Sequence, residues 1–550
     1  MKSAANLTRR RALQWLGFGL SARVLRGYAI DHAAEVYFTH GVASGDPLSD
    51  RVILWSRVVP AAVGESFVPV RWQIAEDAQF QRIAAEGETL AHADRDFTVK
   101  VDATGLQPNH RYFYRFDSAG ETSDVGQTKT LPVGAVDEFR LAVASCSNYP
   151  QGYFHAYRDI AEHSVDVVLH LGDYLYEYPL GQYAHPVAEQ TLGRVVEPAH
   201  ELLALEDYRM RYGLYRTDAD LQAAHAAHPW ICIWDDHELA NDTWRAGAKN
   251  HNEGEGDFAE RMAIARRVYH EWMPIRTAAQ SNQSPIYRQF QIGDLADLIM
   301  LDTRLQGRDQ QLVYERDIEA AGGIERFLSE KLNDPERTLL GVDQEVWLAS
   351  QLAASRDRGA IWQVLGQQVI MGRVITPRFR SETMADPAMP ERTKRWLAAS
   401  QRYSDYRLPM NMDAWDGYPA CRDRVHEMMR GLAVNPVVFA GDTHNAWAFN
   451  LRDKDGDAVG VELGTPGISS PGMESWLPVS SDEATRLLMA SSPELCALDA
   501  SRRGWTRVTL TPDRLISAWR FVSNVLKPEF TVEETPSLVC DRGKRRFREV

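Results

Sequence analysis

Four short apolar runs in this chain end directly in side chains that bind cations. The first closes on Ala144, Ser145, Cys146, Ser147 and Asn148, and the second on His170, Leu171, Gly172, Asp173, Tyr174, Leu175 and Tyr176. The third leads into Trp234, Asp235, Asp236, His237 and Glu238, with Asn241 and Asp242 just beyond. The last leads into Gly441, Asp442, Thr443 and His444. Taken singly, each has an ordinary structural role. Cys146 alone fits a buried small hydrophobe, Asp173 a turn or helix cap, and Asp235 to Glu238 the acid-rich start of a helix. Tyr176 alone fits a core, and His444 a satisfied polar residue. Four such ends in one domain point elsewhere. In layered α/β proteins ligands collect outside the carboxyl ends of strands, so the four loops should converge. Carboxylates brought that close repel unless a cation neutralises them. The pattern therefore predicts a multi-cation site.

The elements that must carry these loops are legible in the same sequence. Strand candidates run over 139–145, 165–171, 230–234, 295–301, 361–366 and 436–440. Helices fit between them: Phe154, Tyr157 and Ile160 share one helical face, and 257–272 is an amphipathic run. Strands alternating with helices imply a layered α+β domain over 137–525. Ahead of it, β-rich runs at 51–59, 68–74, 97–101 and 111–116 recur between turn signals, which predicts a β-sandwich over 36–132. Gly105 to Tyr112 has the pattern of the tyrosine corner of immunoglobulin- and fibronectin-like sandwiches. The fold class is thus α+β multidomain, with a linker at 130–134 and a tail at 526–550.

Composition narrows the function. The 550 residues carry 61 Lys+Arg against 76 Asp+Glu, a formal charge of −15, which argues against binding nucleic-acid duplexes or anionic membranes nonspecifically. No apolar run approaches the roughly 18 residues needed to span a bilayer. Five scattered cysteines, an odd number, make no disulfide scaffold. No Gly-x-Gly-x-x-Gly follows a strand, which removes a dinucleotide-dependent oxidoreductase. Residues 1–32 differ from the rest: Thr8, Arg9, Arg10 and Arg11 precede a mildly apolar stretch from Leu13 to Leu25, broken by Arg23. That is the pattern of an export signal of twin-arginine type. It predicts a periplasmic or secreted protein, exported folded by the twin-arginine (Tat) translocon.

The order Asp, Gly-Asp, Asp-His-Glu, Gly-Asp-x-His resembles the calcineurin-like metallophosphoesterase superfamily. The branch it resembles is the alkaline phosphatase D (PhoD-like) family of phosphatases and phosphodiesterases. That family also carries Ser-Cys at the first strand (Ser145, Cys146), Gly-Asp-x-x-Tyr (Gly172 to Tyr176) and Trp-Asp-Asp-His-Glu (Trp234 to Glu238). Trp415 to Pro419 and Gly464 to Ser470 match it as well. The resemblance implies a calcineurin-like metallophosphatase domain, β-sheets flanked by helices, behind the small β domain. It implies Fe3+ surrounded by Cys146, Asp173, Tyr176, Asp442 and His444. It also implies Ca2+ held by Asp173, Asp236 and Asn241, with Asp235 as an alternative ligand; relatives often show two asparagines where this chain has Asn241 and Asp242. Thiolate and phenolate suit a ferric ion, and carboxylate and amide oxygens suit calcium.

The expected reaction is hydrolysis of a phosphate mono- or diester, the ester being a small molecule, a nucleotide or a phospholipid. The cations would lower the pKa of a bound water that attacks in line. Asp236 would ligate metal, while His237 protonates the leaving alkoxide or steadies charge on the phosphoryl group. Arginine or lysine would clamp the phosphate. Tyr149, Tyr153, Tyr174 and Tyr178 line the cleft or pack the core, and selectivity lies in loops such as 179–205 and 373–412. The competing readings are a phospholipase D-like phosphodiesterase of the same family and a secreted metal-binding protein without turnover.

Overall fold

Along Arg111–Ser118, Tyr112, Tyr114 and Phe116 are buried while their neighbours face outward, the two-residue period of a half-buried strand. This strand belongs to a computed structural model that describes residues 35–62, 64–276, 285–379, 389, 391–477 and 479–548. The expected export signal lies outside the described residues. Gly126–Lys129, Arg111–Ser118, Phe67–Ala75 and Ile83–His92 form one antiparallel sheet in that order. Its inner face packs on Val42–Gly45, Arg51–Arg57 and Thr98–Thr104 through Val42, Leu54, Ile74, Tyr114 and Phe116. The Gln107 N–H donates to the Tyr112 hydroxyl at 2.9 Å, which makes the expected tyrosine corner.

The second sheet of this sandwich does not stop at residue 132. Val42–Gly45 pairs in parallel with Pro229–Cys232, Ser44 beside Pro229 and Gly45 beside Trp230. One ten-stranded sheet results. It runs from Val532–Glu534 through Arg514–Val522, Arg503–Leu510, Phe139–Ala144, Val167–His170 and Pro229–Cys232 to the three sandwich strands. Leu538–Asp541 also pairs with Arg514–Val522. Residues 526–550, expected as a tail, therefore supply two strands. These pairings join segments far apart in the chain, and no local pattern announces them.

A seven-stranded sheet faces the first, in the order Arg288–Ile292, Ala296–Met300, Trp362–Gly366, Pro436–Ala440, Ala458–Gly464, Ala446–Arg452, Leu495–Asp499. Leu141, Val143 and Leu169 share one buried cluster with Leu298, Val364 and Phe439, so the main core lies between the sheets. Val342–Arg358 and Pro419–Leu432 cover the second sheet through Leu348, Leu352, Val425 and Met429. Phe258–Trp272, capped by the Asp257 carboxylate, contributes Val268 and Trp272 to the main core. All six strands expected of this domain form, and they are the apolar runs of strands buried on both faces. Among the described residues, no helix is long and apolar enough to cross a membrane, and all five cysteines are free.

Candidate metal centre and active site

Each cluster begins where a buried strand runs out of partners and the backbone turns sharply. Cys146, Asp173, Asp442 and His444 all take the left-handed conformation, with φ of 62°, 53°, 62° and 63°. Non-glycine residues rarely adopt it, and such strain gathers at functional sites. Gly172 permits the tightest approach: at φ 101°, a Cβ there would stand 2.4 Å from the Asp235 backbone nitrogen. The loops are then tied together. Cys146 and Ser147 donate their N–H groups to the carbonyls of Gly172 and Asp173 at 3.1 and 2.9 Å. The buried Glu238 carboxylate accepts the N–H groups of Asp173 at 3.1 Å, Tyr174 at 2.7 Å and Asp235 at 2.8 Å.

The four expected loops do converge. Ligand atoms of Cys146, Asp173 and His444 lie within 4.8 Å of one another, as do those of Asp173, Asp236 and His237, and those of Asp235, Asp236 and Asp442. The Tyr176 hydroxyl donates to Asp173 Oδ2 at 3.1 Å, lies 3.2 Å from His444 Nε2, and accepts from Ser470 Oγ at 2.7 Å. His444 Nδ1 donates to the Pro471 carbonyl at 2.7 Å, which turns the Nε2 lone pair towards the cluster. Burial pushes its pKa down to about 3, so it stands neutral, the form that ligates metal. Asn241 lines the same cavity as Asp173, Asp236 and His237.

Two features were not expected. Arg304, fully buried, is bonded through Nε to Asp235 and lies 2.8 Å from Asp413, 3.1 Å from Asp442 and 3.7 Å from Asp236. Asp442 thus stands with Asp235 and Asp236 around a guanidinium, rather than in the cysteine group. Arg308 holds Asp413 from a second side at 2.6 Å. The other feature is Glu177, wholly buried: it accepts from His237 Nδ1 at 2.7 Å, from the Asn241 N–H at 2.7 Å and from Asn250 Nδ2 at 2.8 Å.

Charge in this site is held in tension. Burial opposes ionisation of Asp236, but Arg304 and His237 keep it ionised well below the ordinary carboxylate range. Burial also works against the His237 imidazolium, yet Asp236 and Glu177 raise its pKa well above the usual value. Asp442 is pushed up to about 7 by burial, with Arg304 opposing. The Cys146 thiol and Tyr176 phenol are pushed up by burial and by the Asp173 charge. A cation bound beside them would reverse that preference. The donors fit such cations, because Asp173 Oδ1, Asp235 Oδ2 and Asp236 Oδ1 are buried with no hydrogen-bond partner. Buried polar atoms are rarely left so.

The site opens into a cavity of about 590 Å³. Tyr178 lines it and Tyr174 does not; the Tyr174 hydroxyl is instead within 3.0 Å of His225 in the core. Tyr149 packs under Arg194 and Tyr153 stacks on His155. Both expected selectivity loops reach the cavity, through Tyr183 and through Val374 and Met410. Among the described lining residues there is no arginine or lysine to serve as the expected clamp. Arg304 is committed to acids beneath the floor, and Lys249 pairs with Asp242 at 2.6 Å.

An open cavity over a cluster of carboxylates, imidazoles, a thiol and a phenol is the arrangement of a metal-dependent hydrolase. The PhoD-like phosphatase family model matches residues 141–519, and that of the PhoD-like phosphatase N-terminal domain matches residues 26–132. The chain is 36% identical over 527 residues to alkaline phosphatase D of Bacillus subtilis, covering 93% of this chain and 82% of that protein. A solved structure of PhoD superposes with a TM-score of 0.76 at 33% identity, covering 93% of this chain and 92% of the other. The chain belongs to the PhoD-like phosphatase family and is a phosphoric ester hydrolase.

Proposed function

We propose that this enzyme hydrolyses phosphate mono- and diesters at a ferric–calcium centre, with His237 as the proton donor. The single observation that carries the reading is the pairing of partnerless buried acid oxygens with an imidazole held by Glu177. Cys146, Asp173, Tyr176 and His444 would hold the ferric ion, and Asp442 would join them only by leaving the Arg304 guanidinium it pairs with at 3.1 Å. Asp173, Asp236 and Asn241 would hold calcium, and Asp235 offers its Oδ2 as the alternative. The bound cations would supply positive charge for the non-bridging phosphate oxygens and acidify an attacking water. His237, fixed through Nδ1, keeps its Nε2 proton for the leaving alkoxide, and Glu177 steadies the imidazolium until it is given up. Asn241 is placed by the same carboxylate through its backbone N–H. Because no guanidinium or ammonium lines the cavity among the described residues, phosphate binding should depend on the metals themselves. We further propose twin-arginine export, which replacing Arg9 and Arg10 with lysine should block in a reporter carrying residues 1–32.

Purified protein should show a visible charge-transfer band, iron by metal analysis, and calcium-stimulated hydrolysis of chromogenic mono- and diesters. Tyr176→Phe should lose the band and the iron together. Zinc or manganese with no visible band would refute the ferric–calcium assignment, and bound metal without turnover would refute the catalytic reading.

A further inference from the structure

The catalytic reading accounts for only part of the cavity wall. Beyond the acids and imidazoles, its large apolar side chains are Ile370, Val374, Met410, Trp447, Met473 and Trp476, with Tyr178, Tyr183, Asn241, Asn411 and Ser475 among the polar ones. The apolar side chains are anchored from behind. Five successive backbone amides each meet a side-chain acceptor. Met371 and Gly372 donate to the Glu462 carboxylate at 2.7 Å each, Arg373 to Glu494 at 3.4 Å, Val374 to Asp416 at 2.8 Å and Ile375 to Ser492 at 3.0 Å. Trp447 donates from Nε1 to Thr443 at 2.7 Å and stacks on Phe449 with ring centres 5.8 Å apart. Thr443 lies between Asp442 and His444, so this indole is locked to the loop that carries two site residues. Asp416 also lines the cavity, but its carboxylate is committed to the Val374 N–H and to Arg422. Among the described residues of this part of the wall, Asn445 Nδ2 is buried without a hydrogen-bond partner.

We propose that the apolar part of this wall is a preformed subsite for an apolar organic group on the phosphate, so that esters of aliphatic or aryl alcohols bind more tightly as that group grows. The inference rests on the phosphoesterase reading and adds the substrate class to it. The carboxylates behind Met371 to Val374 are used to fix backbone, and the six apolar side chains present hydrocarbon, sulfur and indole to the cavity. A cavity of about 590 Å³ is also far larger than a phosphate group requires and falls within the range of sites for drug-sized ligands. Because the wall is already held in place, burying the organic group costs little reordering.

The test is competitive inhibition of the metal-loaded enzyme by alkylphosphonates from methyl to hexyl, whose C–P bond is not hydrolysed. The phosphonate end is constant along the series, so any trend reports on the wall. Each added methylene should lower Ki roughly fourfold until the wall is covered. In Val374→Thr and Met473→Gln, which nearly keep side-chain shape, the hexyl-to-methyl Ki ratio should move towards one. Trp476→Ala, at a partly exposed position, gives a third reading of that ratio with little risk to folding. A flat series, with inorganic phosphate still competing, would overturn the subsite while sparing the phosphoesterase reading. If neither phosphate nor any phosphonate competes and no ester is turned over, the phosphoesterase reading fails and the subsite falls with it.

Discussion

Replacing Glu177 with glutamine should separate the proton-donor role of His237 from the binding of metal. Oε1 of Glu177 accepts from the Asn241 N–H and Asn250 Nδ2, while Oε2 accepts from His237 Nδ1. Glutamine has one carbonyl oxygen, and the two donors on the Oε1 side will claim it. Its amide then faces His237 with N–H groups, so the imidazole must present a lone pair at Nδ1 and lose its charged form. A hydrogen bond to a charged group contributes about 1.5–3 kcal/mol. At 1.36 kcal/mol per unit, that lowers the His237 pKa by about 1–2 units. The sign is fixed: a lower pKa means that the protonated acid disappears earlier as pH rises. The alkaline limb of the pH–rate profile should therefore move to lower pH. Activity above that limb should fall about 10–100-fold and recover on acidification. The assay is ester hydrolysis across pH on metal-loaded protein, with the melting temperature as a folding control. A profile that drops uniformly without moving its limb would refute the role given to Glu177. An unchanged rate would refute the role given to His237 as well.

Three further outcomes follow from the geometry. Arg304→Met should destabilise the metal-stripped protein by about 3–5 kcal/mol, because it strands buried carboxylates, and added calcium should narrow the deficit in a urea titration; equal deficits with and without calcium would contradict this. Gly172→Ala forces a Cβ towards the Asp235 amide and a strained φ, at about 1–3 kcal/mol, so iron content and melting temperature should fall together. His270 is buried with neither ring nitrogen partnered, and burial pushes its pKa down to about 3. A histidine so depressed contributes stability above pH 6.5 that is lost as pH falls towards 3, by at most about 1.4 kcal/mol per unit. His270→Leu should therefore gain on the natural protein in melting temperature as buffers are taken from pH 7 to pH 5.

The strands and the convergence of their ends were legible because both are local. An apolar run closing on acids needs only a dozen residues to recognise, and the rule that ligands gather at carboxyl ends of strands does the rest. The same rule, applied to the expected strand at 295–301, would have found Arg304, since Asp302, Thr303 and Arg304 follow that strand directly. Glu177 was in plain view beside Tyr176, but a carboxylate that supports a histidine looks like any other acid until its partner, far along the chain, is known. Asp413 and the pairing of Val42–Gly45 with Pro229–Cys232 had no local signal at all. The backbone strain at Cys146, Asp173, Asp442 and His444 was invisible for a related reason. None is a glycine, and it is the packed loops around them that impose their conformation.

The ten-stranded sheet has a consequence for when this protein can fold. Phe139–Ala144 lies beside Arg503–Leu510, which in turn leans on strands contributed by the last residues described. During synthesis the amino-terminal half emerges first, yet the strand that must flank Phe139–Ala144 is then still untranslated. Until it arrives, that edge of the sheet is an open row of amides and carbonyls, the kind of surface on which chains aggregate. Pairings so distant in sequence also close slowly. The sheet is thus completed only once residues 503–541 have been made, and in the interval its edge is open. A route that carried the chain unfolded across a membrane would expose the same edge a second time.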